Sequence, residues 1–164
     1  MEDNLMTFKT AITAFFTALG AFLGWQGIMA VVWVCAMALD YITGTAAACY
    51  AGEWSSKTAR EGLWHKGGMI VVVIVAAIAD GIMAVICSNI PIGIDWPVLI
   101  LPLALAWYII TELGSILENA VKMGSPVPEW LVKLMKASLT LVEDAGEKAA
   151  DIDVDHADDT LDTE

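Results

Sequence analysis

Charge is the scarcest thing in this sequence. Only 17% of its 164 residues are Asp, Glu, Lys or Arg, against about 25% in an ordinary soluble domain. No charged residue occurs between Lys9 and Asp40, and few occur between Lys66 and Glu112. A water-facing domain of this size has too much surface to leave such stretches uncharged. That excludes a soluble globular or a disordered reading of residues 10–120. Bases are fewer still, eight Lys and Arg in all. They are scattered and form no basic face for phosphates, which excludes nucleic acid as a partner.

Cysteine is equally sparse. Cys35, Cys49 and Cys87 are odd in number, lie in apolar runs and form no C-x-x-C. This excludes a disulfide framework or a zinc site and reads them as small buried apolar side chains. The two histidines, His65 and His156, belong to no ligand cluster. There is no glycine-rich phosphate loop and no serine elbow, so neither an enzyme nor a cofactor is expected. The opening Met1-Glu2-Asp3-Asn4 lacks the basic region of a cleaved secretory signal.

What the chain has is apolar surface, 58% of its residues, with a mean hydropathy of +0.67. The fold class is therefore all-α, a polytopic membrane protein with three or four transmembrane helices. The apolar segments run over about 5–24, 27–51, 67–90 and 98–117. Residues 11–51 as one helix would reach about 60 Å, twice the hydrocarbon thickness. The run must break, and Gly24-Trp25-Gln26-Gly27 is the place. Residues 52–66 form a polar loop, and the Thr58/Glu61 spacing starts a helix near Ala59. Residues 91–97 make a turn, and Pro102 is a candidate kink in the last span.

Gly124-Ser125-Pro126-Val127-Pro128 ends the last span. An amphipathic helix follows over 129–142, with Trp130, Leu131, Leu134, Ser138, Leu141 and Val142 opposite Glu129, Lys133, Lys136 and Thr140. It fits the membrane surface or another protein helix. Residues 1–142 thus form the membrane domain, and 143–164 an acidic tail read as disordered. The tail holds ten acids and Lys148, net −9 of the total −12.

Seven tryptophans punctuate the chain. Most fall at segment boundaries as interfacial anchors, while Trp33 and Trp107 read as packing residues. Lys57, Arg60 and Lys66 in one loop, and Lys122, Lys133 and Lys136 after the last span, place both regions on the cytoplasmic side. Loop 91–97 then faces out and the tail is cytoplasmic.

The informative residues are acids inside apolar helices: Asp40, Asp80 and Glu112, with Glu118 near a helix end. An acid at a helix centre costs about 2.5–3.5 kcal/mol, so these groups must face other helices or water. Their neighbours are small or polar. Ala36, Asp40, Gly44 and Ala48 form one stripe, Ala76, Asp80 and Ala84 another, and Gly20/Gly24 a close-approach pair. Glu112, Ser115 and Asn119 share a face, and Glu118 stands four before Lys122. Three readings stay open: these groups hold one bundle together, line or gate an oligomer, or form an ion path.

Three groups of residues resemble the phage holin family that includes the clostridial toxin-secretion holins. They are Asp40-Tyr41-Ile42-Thr43-Gly44; Trp54-Ser55-Ser56-Lys57 with Gly62-Leu63-Trp64-His65-Lys66; and Glu112-Leu113-Gly114-Ser115-Ile116-Leu117-Glu118-Asn119 with Gly124-Ser125-Pro126-Val127-Pro128. The similarity covers roughly residues 10–135. It implies a homo-oligomer in the bacterial cytoplasmic membrane that opens a lesion at a set time. The functional partner is then an endolysin, with an antiholin as a further partner. It places Asp40, Tyr41, Gly44, Glu112, Ser115, Glu118 and Asn119 on recurrent family positions. In that reading, polar faces carrying Asp40 and Glu112 line water in the assembly. Many holins end in a basic tail and this one does not. Lys122, Lys133 and Lys136 are therefore better lipid contacts than the tail, which the anionic leaflet repels. The competing readings are an antiholin or other non-lytic regulator, and a small ion channel or transporter.

Overall fold

The computed structural model describes residues 2–90 and 98–150, and for residues 2–5, 7–9 and 11–23 the backbone alone. The expected turn 91–97, tail residues 151–164 and the packing expected of Gly20 lie outside the described residues. Four helices follow in order: α1 (Glu2–Ala51), α2 (Ser56–Asn89), α3 (Ile100–Lys122) and α4 (Glu129–Ala150). The described residues contain no strand.

The break expected near Gly24 is there. Helical hydrogen bonding runs on both sides, but Gly24 takes φ 67° and ψ −179°. Only glycine reaches that conformation without strain. A Cβ at Gly24 would meet nothing within 4 Å. Its role here is therefore the kink, not the close helix contact expected of Gly20 and Gly24.

Among the described residues three helices are long and apolar enough to cross a membrane: Gly24–Ala51, Ser56–Asn89 and Ile100–Lys122. The second begins earlier than expected. Ser55 Oγ accepts from the Lys57 amide at 3.3 Å, so the cap is Ser55 and not Thr58. Residues 56–66 are consequently helical, not loop. Pro102 lies in the first turn of α3, where its missing N–H interrupts nothing. Helix α4 continues through Glu143–Ala150, eight residues into the segment expected to be disordered. Ala145, Ala149, Ala150 and Lys148 are strong helix formers, and they prevail over the local acidity.

Helix α3 is the centre of the bundle. It packs against α1, α2 and α4, and among the described residues α4 packs on α3 alone. The core joins Trp33 and Met37 of α1, Met69 and Val73 of α2, and Leu105 of α3, which is fully buried. The Trp33 and Tyr108 rings stack at 5.8 Å, and Trp107 meets Tyr108 edge-on at 5.2 Å. Outside this seam the apolar side chains face outward. On α2, Val71, Val75, Ile78, Ile82 and Val85 are all more than half exposed. In water such a continuous apolar surface is untenable; in lipid it is the expected exterior. Cys35 and Cys49 lie on this exterior, not in the core as expected, and Cys87 is half-buried; all three are free.

Candidate functional site

Lys66 sits where α1, α2 and α3 converge. Its Nζ lies 2.7 and 2.6 Å from the two carboxylate oxygens of Glu112 and 3.0 Å from Asp40 Oδ2. Asp40 Oδ1 accepts from Asn119 Nδ2 at 3.0 Å, and the same amide reaches Thr43 Oγ1 at 3.3 Å. Thr43 in turn donates to the Asp40 carbonyl. Glu112 is 3% and Asn119 9% exposed. One ammonium thus serves two carboxyl groups.

Local sequence builds this site. Asp40 and Gly44 lie one turn apart on α1, and Glu112 and Asn119 two turns apart on α3, so each pair shares a face. Gly44 lets the helices close. A Cβ there would stand 3.4 Å from Asn119 Nδ2. Ala36 and Ala47 are buried on the same helix. The cluster borders two cavities. One of about 220 Å3 lies beside Asp40, Gly44, Trp54 and Ser55; the other, of about 490 Å3, lies beside Glu112, His65, Trp107 and Ser115.

Asp80 does different work at the other end of α3. Its Oδ1 accepts from the amides of Leu99 and Ile100 at 3.2 and 3.1 Å, and Oδ2 from Leu101 at 2.7 Å. A carboxylate of α2 thereby satisfies the open N–H groups at the start of α3 and meets the positive end of its dipole. Of the stripe expected on α2, Ala76 and Asp80 are buried, while Ala84 is exposed.

The remaining sequence-singled residues are more dispersed. Tyr41 is exposed, Ala48 and Ser115 are partly covered, and Glu118 and Lys122 are exposed without pairing to each other. Lys57, Arg60, Lys133 and Lys136 are exposed as a lipid-contact role requires. Lys57 and Lys133 also stand 3.8 Å from Glu61 and Glu129, exposed pairs of little energetic weight. Lys66 corrects its expectation. Its side chain is only 13% exposed, so it is a buried counter-ion and not a loop residue for lipid contact. Asp40 and Glu112 turn inward to it, and in this protomer they do not form an outward polar face. Sequence reasoning named Lys66 but missed its pairing, because it counted the residue among the bases of the polar stretch 52–66 and read them as an orientation signal. Two unmatched acids in facing helices were the signal that a base was needed.

Among the described residues no group of three or more His, Cys, Asp or Glu could hold a metal ion.

The bacteriophage holin family matches residues 17–138. An uncharacterized protein of Halalkalibacterium halodurans is 32% identical over 129 residues, covering 79% of this chain and 90% of that protein. One of Listeria innocua is 33% identical over 127 residues, 77% of this chain and 83% of its own. An uncharacterized 14.9 kDa protein in the nagH 3′ region of Clostridium perfringens is 29% identical over 136 residues, covering 83% and 96%. No solved structure matches the chain.

Proposed function

The chain belongs to the bacteriophage holin family, and on that premise we propose that it is the timed permeabilising protein of a lysis system. It accumulates in the bacterial cytoplasmic membrane, self-associates, and at a threshold density opens a lesion. An endolysin, or another large protein, then passes to the cell wall. The role is mechanical and not catalytic.

The observation that carries this reading is the protomer's division of surfaces. Its intramembrane charges are gathered inside, on Lys66, Asp40 and Glu112, while its exterior is apolar along α1 and α2. Such a three-span bundle is stable singly in lipid, so it accumulates without leaking. Opening then requires many copies to exchange lipid contacts for contacts with one another and with water. In this reading Lys57, Arg60 and Lys122 face the cytoplasm, as a bias of bases to inner loops dictates, and the Asp80 end faces out. Lys133 and Lys136 begin α4 on the cytoplasmic side and meet anionic headgroups there.

A second reading, a small ion channel, draws on the placement of Asp40, Glu112 and Lys66 between two cavities. Induced expression with and without an endolysin that lacks its own export signal separates the two. The holin reading expects a delay, abrupt depolarisation, and lysis only when the endolysin is present. Depolarisation with no endolysin-dependent lysis supports the channel. Delay of lysis caused by another holin, with no lesion of its own, supports an antiholin.

A further inference from the structure

Helix α4 is built differently from the three apolar spans. It runs antiparallel to α3. Trp107 Nε1 donates to Glu143 Oε1 at 3.1 Å, and the groove between the helices is lined from Ile110 to Lys122 on one side and from Val132 to Leu139 on the other. At 22 residues it is about 33 Å long, close to the roughly 30 Å of a bilayer's hydrocarbon core. Its docked position therefore lies alongside a membrane-spanning helix for nearly the full thickness.

Three sides of α4 are chemically distinct. Leu131, Val132, Met135, Leu139 and Val142 are half-buried on the α3 side. Trp130, Leu134 and Leu141 form a second apolar side, 65, 51 and 69% exposed. Glu129, Lys133, Lys136, Thr140, Glu143 and Glu147 follow at alternating steps of four and three and are all exposed. That spacing makes one continuous polar stripe along the whole helix. In hydrocarbon such a stripe is costly, because five of its six members carry charge. Alone in lipid, a protomer cannot keep α4 docked across the membrane. In an assembly it can, if the stripe faces water.

We propose that α4 is the segment that lines the lesion. In the assembled state it crosses the membrane along α3, turns its polar stripe to the water-filled opening, and carries the residues after Ala150 to the outer face. This rests on the holin reading and deepens it. Asp40 and Glu112 are occupied by Lys66, so the wet surface comes from the exposed stripe of α4. The exposed Trp130, Leu134 and Leu141 side then meets lipid or the next copy. Gly124, at φ 86°, caps the end of α3 in the left-handed conformation that favours glycine, and crossing then turns on the Gly124–Pro128 connection that follows. The sequence-based expectation of a cytoplasmic tail describes the state before assembly, and crossing reverses it.

The test uses the complete chain with Cys35, Cys49 and Cys87 changed to Ala, expressed in protoplasts, with depolarisation followed throughout. Asp162→Cys is probed from outside with maleimide fixed to beads too large to pass any lesion. Thr140→Cys and Leu139→Cys are probed with a small charged thiol reagent. The proposal expects bead capture of Asp162→Cys only after depolarisation begins. It also expects Thr140→Cys to be modified by that reagent once depolarisation begins, and Leu139→Cys to stay unmodified. Depolarisation without bead capture overturns the lining role and leaves the holin reading standing. Capture before any depolarisation overturns the coupling of crossing to assembly. Absence of depolarisation at full expression overturns the holin reading itself.

Discussion

Lys66 and Glu112 stand 46 residues apart in sequence and meet at 2.6 and 2.7 Å, the ammonium spanning both carboxylate oxygens. The same ammonium reaches Asp40 at 3.0 Å. Helices α1 and α2 touch each other little and both pack on α3. One side chain of α2 therefore ties together all three spans, and does so with charge in an apolar setting.

Removing that tie leaves two carboxylates facing each other without a cation. Breaking a buried pair by deleting one partner typically costs about 3–5 kcal/mol. Lys66→Met is expected to lose stability of that order, read as a lower unfolding temperature in detergent and less protein in the membrane fraction. Lys66→Met combined with Asp40→Asn and Glu112→Gln is expected to recover most of it. Equal loss in the single and the triple variant would show that the charges are not what matters.

Asp80 satisfies three backbone amides at the start of α3. Asp80→Ala strands them, at a cost of about 1–3 kcal/mol for a buried unsatisfied group. Asp80→Asn keeps one acceptor oxygen and is expected to lose less. Thermal unfolding of the two variants in detergent should rank them wild type, Asn, Ala. An Asn variant as unstable as Ala would contradict the capping role.

Gly44 of α1 lies beside Asn119 of α3. A methyl group there stands at 3.4 Å from the Asn119 amide, an ordinary contact. Gly44→Ala is expected to be nearly neutral. Gly44→Leu forces the helices apart at an overpacking cost of about 1–3 kcal/mol and separates Asn119 from Asp40. Unfolding temperatures check both; a tolerated Leu would mean that the helices do not approach here.

The residues after Ala150 hold seven acids and no Lys or Arg. Like charges on neighbouring copies repel, and the tail must cross if α4 does. Deleting residues 151–164 is expected to advance the onset of lysis at equal protein level. Unchanged timing, measured by turbidity after induction, would remove the tail from the timing mechanism.

Much of the fold was legible because hydropathy is a local signal. The break at Gly24, the apolar runs behind three spans, and a helix after Pro128 all follow from short stretches of sequence. Boundaries were less legible. Polar residues 56–66 continue a helix that hydropathy ends at Gly67, and alanines carry α4 past Val142 into acidic sequence. The site was half legible. Asp40, Gly44, Glu112 and Asn119 stood out as polar or small residues on shared helix faces. Their partner Lys66 did not, because a base beside a loop looks like an orientation signal and its pairing depends on how α2 sits against α1 and α3. Asp80 was legible as costly, but its function depends on the start of α3, 19 to 21 residues away.

In the proposed function closed protomers accumulate silently and open together. Membrane potential followed in single cells after induction tests it most directly. The expected result is a flat potential while protein accumulates, then an abrupt collapse in each cell after a reproducible delay. A gradual decline that tracks protein amount from the start of synthesis would contradict it.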